Sequence, residues 1–126
     1  MDERKSEPSL ETVFTFSAFR LLPSAMLIVF TTAPNIQEAE RLAEKIVDAK
    51  LAACVQILPQ MRSIYFWQGS VQNEPEHLLL IKTLEEKYES LEMFILANHS
   101  YDVPEIAAVS AEKVSESYLG WMKEYL

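Results

Sequence analysis

The stretch NHSYDVPEI, residues 98–106, brings a histidine, a tyrosine, two carboxylates and a proline into nine consecutive positions. Such a set suits three roles: an active site, a metal site or the start of a buried strand. His99 could ligate a metal or shuttle protons, but a histidine at a helix end more often caps carbonyls and interacts with the helix dipole. Pro104 biases Val103 towards an extended conformation, which starts a strand. We therefore rank the start of a strand first, the wall of a cleft second and a metal ligand third.

Two charged side chains adjoin apolar segments and need partners. Glu105 leads into an apolar run, and Lys82 ends the run LLLIK. A charge that is carried into a buried strand is costly unless it is paired. A Lys82–Glu105 pair, within one subunit or across an interface, would satisfy both. The pair is either purely structural or lines a pocket between subunits, with aromatic walls from Tyr65, Trp67 and Tyr101; otherwise Tyr65 and Trp67 are core or interface packing.

Motifs that would indicate an enzyme are missing from the sequence. The chain has only two glycines, Gly69 and Gly120, so it contains no glycine-rich phosphate loop. Cys54 has no histidine in its own motif, and no serine lies in a nucleophile-elbow sequence. His77 opens an apolar strand without an acidic or cysteine partner nearby and is assigned to structure. We expect no catalytic residues.

Length and charge restrict the class of protein. The 126 residues suit one domain, and 49% hydrophobic residues suffice for one core. A net charge of -8 would repel phosphate groups, so nucleic-acid and anionic-membrane partners are not expected. No apolar run reaches the roughly 20 residues that cross a bilayer. The lone Cys54 cannot form an internal disulfide. We interpret it as a small buried hydrophobic residue of a protein in a reducing compartment. A cytoplasmic location is therefore predicted.

The first 25 residues differ in character from the rest of the chain. They begin with the charged MDERKSEPSL and continue with an apolar stretch that Glu11 and Arg20 interrupt, which fits neither a secretory signal nor a transit peptide. We predict a variable and mobile N-terminal extension at 1–25 and a folded domain at 26–126; the alternatives for the extension are that it is cleaved or that it docks on the domain.

The periodicity of the apolar residues predicts the element order β-α-β-β-α-β-α. The run MLIVFTTA reads as the first strand, and Asn35 with Glu38 reads as the capping pair of the first helix. Thr83 with Glu86 reads as a second capping pair, and Ser115 as the cap of the last helix. The other strands are expected from Ala53, with a bend at Pro59-Gln60, over Pro75–Thr83 and over Glu105–Ala111. This order is the split βαβ plan of a ferredoxin-like α+β sandwich with an added C-terminal helix.

The predicted strands are apolar on both faces, although the two crossover helices of a single subunit would cover only one face of the sheet. Both crossover helices lie on the same face of the sheet because both connections are right-handed. The opposite face would be wet, yet LIVF, SIYFW, HLLLI and IAAV do not alternate with polar residues as a half-solvated sheet should. An exposed apolar sheet of that size usually marks an interface. We therefore expect a homo-oligomer.

Six motifs in order resemble the CutA family, the divalent-cation tolerance proteins. They are TTAPN, KLAACV, RSIYFWQGSVQ, LLLIKT, HSYDVPEI and SYLGWMKEYL, and they extend over residues 26–126. The resemblance implies a ferredoxin-like subunit assembled as a stable homotrimer, similar to the PII signalling proteins. It also implies an association with copper and other divalent cations, and no established reaction.

The resemblance implies a metal site that this sequence alters. The metal pattern of enterobacterial members places a cysteine and two histidines where this chain has Thr31, Asn98 and His99. Copper prefers imidazole and thiolate ligands, so one histidine per subunit predicts weak binding. Gln68 and Ser70 also replace the acidic residue and the lysine that are common at the turn. No cofactor is expected to be obligatory, and Cu(II) or another divalent cation is the candidate ion.

Three hypotheses for function follow. The first is a non-enzymatic cytoplasmic homotrimer of the CutA type, active in copper tolerance or metal response through weak metal binding. The second is a small-molecule sensor or enzyme that works in clefts between subunits, with Lys82, Glu105, Tyr101 and His99 as polar contacts. The third is an assembly module that binds another protein.

Overall fold

A computed structural model describes residues 25–126 of the chain. The N-terminal extension predicted at 1–25 lies outside the described residues except for Ala25. The carbonyl of Ala25 accepts a hydrogen bond of 2.8 Å from the backbone N–H of Glu85. The first strand begins at Met26, where the folded part was predicted to start.

The described residues form one antiparallel sheet with three α-helices. The strands are β1 (Met26–Ala33), β2 (Cys54–Ile57), β3 (Met61–Trp67), β4 (Ser70–Leu84) and β5 (Ala107–Ser110). The helices are α1 (Ile36–Asp48), α2 (Tyr88–Asn98) and α3 (Glu116–Tyr125), with a 3-10 turn at Glu85–Lys87 before α2. The sheet order is β2-β4-β1-β5, and β3 pairs with the first half of β4. This is the predicted ferredoxin-like α+β arrangement with an added terminal helix.

The predicted bent second strand is present as β2 and β3. Both pair with β4, and the pairing is interrupted between Ile57 and Met61. Pro59 lies in this interval, and proline has no N–H to donate to a ladder. The predicted hairpin of the second and third strands is therefore correct, although β4 begins at Ser70 rather than at Pro75. The last strand is shorter than predicted.

The main core lies between one face of the sheet and the first two helices. Val29, Leu79 and Ile81 point from the strands into this core and are fully buried. They pack against Leu42 and Ile46 of α1, and Leu91 and Ile95 of α2 complete the layer. This face uses the alternate residues of each strand, as the period of two requires.

In the described part of the chain, one end of the second face of the sheet is covered by α3. Helix α3 packs there, and a smaller cluster joins Met122 with Met26, Ala53 and Leu84. Further along the same face, Phe30 lies opposite Leu80 and both remain partly exposed. Val109 on the neighbouring strand is 51% exposed.

The β3–β4 hairpin extends beyond the rest of the sheet. Its turn has positive φ at Gln68 (49°) and Gly69 (85°), which is the type I′ geometry that matches the twist of two-residue hairpins. Phe66 lies opposite Val71, and both side chains are 70% exposed; Ile64 on the same face is 69% exposed. Tyr65 and Trp67 point to the other face. The hairpin thus presents apolar side chains on both of its faces.

Two predicted helix caps are not formed by side chains. Asn35 caps α1 as predicted, because its Oδ1 accepts the Glu38 N–H at 2.8 Å. Thr83 does not cap α2; its hydroxyl donates to the Leu51 carbonyl at 2.7 Å, and the helix is preceded by the 3-10 turn instead. Ser115 occupies the cap position of α3 but makes no side-chain capping bond.

Candidate functional site

The NHSYDVPEI segment connects the end of α2 to the start of β5. Helix α2 ends at Asn98, and the backbone N–H of His99 closes the last turn on the Ile95 carbonyl at 2.9 Å. Pro104 is buried, and the chain becomes a strand at Ala107. The segment leads into a strand as predicted. It also divides into an inner half around His99 and an outer half around Tyr101 and Glu105.

The imidazole of His99 is fully enclosed and both ring nitrogens are hydrogen-bonded. Nε2 lies 2.6 Å from the Thr32 carbonyl oxygen, which can only accept, so Nε2 carries the proton. Nδ1 accepts the backbone N–H of Tyr101 at 2.9 Å. No lone pair of the ring is therefore available to a metal ion while these two bonds are intact. The side chain joins β1 to the segment that precedes β5.

Glu38, predicted from the sequence only as part of a helix cap, forms the other half of the inner region. The side chain is buried, with a relative exposure of 6% for the residue. Its Oε2 accepts the Ser100 hydroxyl at 3.0 Å and the Ser100 backbone N–H at 3.2 Å. Arg41 Nη2 lies 3.9 Å from Oε1. The carboxylate thus ties the N-terminus of α1 to the loop after α2, a contact between residues 62 positions apart.

Tyr101 leads from the inner region to the outer one. Its ring lies 4.7 Å from that of His99, and its hydroxyl donates to Glu76 Oε2 at 2.8 Å. Burial raises the pKa of the Tyr101 hydroxyl above its ordinary value, and the hydrogen bond to Glu76 raises it further. The phenol therefore stays protonated and continues to donate at neutral pH.

An open cleft of about 480 Å³ lies between the β3–β4 hairpin and the outer half of the segment. Four of the five residues predicted to line a cleft do so: Tyr65, Trp67, Tyr101 and Glu105. The remaining lining residues were not predicted, and they are Thr32, Gln68, Glu76, Asp102 and Val103. Glu76 could not be assigned to the cleft from the sequence, where only its charge marks it, because its contact with Tyr101 depends on the fold.

Lys82 is the predicted cleft residue that lies elsewhere in the subunit. It is in β4 opposite Ile28 and Cys54, and its Nζ lies 5.8 Å from the centre of the Tyr118 ring in α3. The Lys82–Glu105 pair is therefore not formed within the subunit. A pair between subunits stays a prediction.

The candidate metal residues do not fit a copper ion in this conformation. His99 has both nitrogens engaged, and Asn98 donates its amide to the Phe94 carbonyl at 2.9 Å. The buried Thr31 hydroxyl has no hydrogen-bond partner. Among residues 25–126, no group of three or more His, Cys, Asp or Glu side chains is arranged to hold a metal ion. The metal set Thr31, Asn98 and His99 stays a prediction that requires the His99 contacts to open.

The chain matches a known protein family over most of its length. Residues 27–125 match the family described as CutA1 divalent ion tolerance protein. The chain is 40% identical over 126 residues to the chloroplastic CutA of Arabidopsis thaliana, covering 92% of this chain and 68% of that protein. It is 40% identical over 97 residues to the divalent-cation tolerance protein CutA of Thermus thermophilus, covering 77% of this chain and 94% of that protein. The chain spans only 55% of the chloroplastic CutA 1 of Oryza sativa.

Solved structures give the same result. The crystal structure of CutA1 from Oryza sativa matches with a TM-score of 0.79 and 42% identity, covering 82% of this chain and 94% of that one. CutA from Archaeoglobus fulgidus matches with a TM-score of 0.77 and 34% identity, covering 79% of this chain and 97% of that one. The class of protein is thus a ferredoxin-like α+β subunit. The chain belongs to the CutA1 divalent ion tolerance family.

The comparisons also bear on location. The Arabidopsis relative is named as chloroplastic and the Archaeoglobus protein as periplasmic. These names do not support the cytoplasmic location predicted from the sequence. In the described part of the chain, no helix combines the length and the apolar character that a membrane crossing requires.

Proposed function

We propose that the protein acts as a homotrimer in the tolerance of, or response to, divalent cations, and that it catalyses no reaction. The observation that carries the assembly is the β3–β4 hairpin, whose apolar side chains are exposed on both faces. The names of the Thermus and Archaeoglobus relatives support the role, since both describe divalent-cation tolerance rather than a reaction.

Self-association answers an energetic problem of the single subunit. Burying one large apolar side chain is worth about 1.5–3 kcal/mol, and the hairpin exposes Ile64, Phe66 and Val71 together. By strand alternation these three side chains lie on the helix side of the sheet, whereas the partly exposed Phe30 and Leu80 lie on the opposite face. Exposed apolar surface of this kind marks an interface in soluble proteins. Three copies packed sheet against sheet around an axis would cover it.

Metal binding in this proposal is weak and takes place at surface carboxylates. The chain carries 19 Asp and Glu residues against 11 Lys and Arg, so it attracts divalent cations. His99 is closed by its contacts with Thr32 and Tyr101, which a copper ion would have to displace. Cu(II) remains the candidate ion because it binds nitrogen and oxygen ligands more tightly than other divalent metals of its row.

Calorimetric titration with Cu(II) tests the metal part. We expect weak binding whose affinity is the same in the wild type and in His99→Ala. His77→Ala is the matched control, because His77 is the other histidine of the chain and uses its Nδ1 to contact the Leu58 carbonyl at 2.9 Å. Tight binding that His99→Ala abolishes and His77→Ala preserves would show that the NHSYDVPEI segment holds the ion. Absence of any Cu(II) binding would reject the metal role.

The cleft favours a second candidate function, the binding of a small organic ligand. Four side chains predicted from the sequence to line a cleft converge there, and Glu76 joins them. A concave site with aromatic walls and a few polar groups is the usual form of a small-molecule site. Saturable binding of an organic ligand that is lost in Glu105→Gln would support this function.

A further inference from the structure

The cleft combines aromatic walls with negative charge and has no basic side chain. Its aromatic walls are Tyr65, Trp67 and Tyr101, and its carboxylates are Glu76, Asp102 and Glu105. The faces of aromatic rings attract cations, more strongly where water is partly excluded, and nearby carboxylates add a direct attraction between opposite charges. An anionic ligand would meet three like charges and no Lys, Arg or His in this lining. The electrostatics therefore favour a cation.

Glu76 strengthens this argument because it is a buried carboxylate without a cationic partner. Its residue exposure is 6%, and its Oε2 accepts the Tyr101 hydroxyl. Among the described residues, no lysine, arginine or histidine forms an ion pair with Glu76. A buried charge is costly unless a charge of opposite sign compensates it. A cation bound in the cleft would supply that compensation.

The arrangement suits an organic cation better than a metal ion. The three carboxylates do not form a cluster that could hold a metal among residues 25–126. They are distributed along a cleft of about 480 Å³ whose other main components are aromatic rings. An organic ammonium group uses both components of the cleft, because it packs against the ring faces while its N–H groups donate to the carboxylates.

We infer that the cleft between Trp67 and Tyr101 binds a small organic ammonium compound, with Glu105 and Glu76 as the counter-charges. This inference rests on the cleft as a ligand site, which is the second candidate function. Tyr101 acts as a positioning residue, because its hydroxyl orients Glu76 while its ring forms part of the wall. Trp67, at the tip of the hairpin, supplies the opposite wall.

Titration of the full chain with three probes of equal shape and different charge tests the inference. Benzylammonium, benzyl alcohol and benzoate share one ring and carry a positive charge, no charge and a negative charge. We expect benzylammonium to bind about tenfold more tightly than benzyl alcohol, since one charge-assisted contact is worth about that factor. Benzoate should show no saturable binding. Trp121→Phe makes Trp67 the only tryptophan, so its fluorescence reports binding in the cleft.

Two variants with matched controls locate the binding. Glu105→Gln should weaken benzylammonium binding by about fivefold to tenfold, whereas Glu112→Gln, which removes the same charge outside the cleft, should not. Trp67→Ala removes the fluorescent reporter, so its binding is measured by calorimetric titration. It should weaken binding about threefold or more, as expected for the loss of a cation–π contact, while Met93→Ala on the outer surface of α2 leaves it unchanged.

The outcomes separate the ligand class from the cleft function. If benzoate or benzyl alcohol binds as tightly as benzylammonium and Trp67→Ala weakens it, the cleft is a ligand site but the preference for a cation is wrong. If none of the three binds, both ideas fail. If benzylammonium binds only in Lys82→Gln, the cation in the cleft is the Lys82 side chain of a neighbouring copy, and the inference of a free ligand is overturned.

Discussion

The helix-covered face of the sheet and the β3–β4 hairpin both carry large apolar side chains, but their environments are opposite. Leu79 and Ile81 in the second half of β4 are fully buried beneath α1 and α2, whereas Val71 in the first half of the same strand is 70% exposed. Strand β4 is thus a core strand at one end and an uncovered one at the other. The difference shows that apolar content in this chain serves two purposes: folding of the subunit and, by our proposal, assembly.

The largest expected loss of stability comes from a substitution in the helix-covered core of the subunit. Ile81→Ala removes a fully buried side chain and leaves a cavity, so it should lower the free energy of unfolding by about 2–5 kcal/mol. Chemical denaturation measures this change. Met93→Ala is the control, because its side chain is 70% exposed and the change should stay within about 0.5 kcal/mol. A small effect of Ile81→Ala would contradict the assignment of the core.

The apolar side chains of the hairpin should contribute to stability only when copies of the chain associate and bury them. Phe66→Ala removes a ring that is 70% exposed in the subunit. If other copies bury this ring, the substitution should lower stability by about 1–3 kcal/mol and make the melting temperature depend on protein concentration. Thermal denaturation over a range of concentrations measures both. A loss of stability no larger than that of Met93→Ala would show that other copies do not bury Phe66, and the proposed role of the hairpin in assembly would be wrong.

Loss of the contacts that hold the inner half of the NHSYDVPEI segment should cause an intermediate loss of stability. Glu38→Gln keeps the shape of a buried side chain and weakens its hydrogen bonds from Ser100, which should cost about 1–2 kcal/mol. Glu40→Gln is the matched control, since Glu40 lies on the same helix and is exposed. Equal stability of the two variants would mean that Glu38 does not hold the loop to α1.

The smallest expected effect on stability appears at high pH and comes from Tyr101 in the outer half of the NHSYDVPEI segment. The pKa of Tyr101 is raised in the folded protein from an ordinary value of 10.0, so the folded state holds this proton more tightly than the unfolded state does. The stabilisation is complete below pH 10.0 and is lost as the pH rises above it. Tyr101→Phe should flatten this alkaline decrease more than Tyr88→Phe. The pKa of Tyr88 is also raised, first by its hydrogen bond to Glu92 and then by burial. The same alkaline slope in Tyr101→Phe and the wild type would reject the assignment.

Much of the fold follows from local patterns, and most of the site does not. The apolar run MLIVFTTA, the break at Pro59 and the turn at Gln68-Gly69 can be predicted from the sequence because each depends on neighbouring residues. Glu38 was assigned only to a cap, although its side chain contacts Ser100. Thr83 matched a capping pattern, but its hydroxyl bonds to Leu51 from within β4. Such choices between local and distant partners depend on strand register.

The cleft illustrates the same limit. Glu105 was expected in a pocket between subunits because its charge needs a partner, with Tyr65, Trp67 and Tyr101 as aromatic walls; within the subunit these four residues line one cleft. Lys82 was grouped with them by charge alone. The register of β4 against β1 and β2 places it near α3 instead.

The mass of the protein in solution at low micromolar concentration tests the central claim most directly. Light scattering coupled to size separation should report three times the subunit mass of 14.4 kDa, and Phe66→Asp should shift the mass towards that of one subunit while the helical signal persists. A well-folded wild-type protein that has the mass of a single subunit at every concentration would contradict the assembly and the function proposed from it.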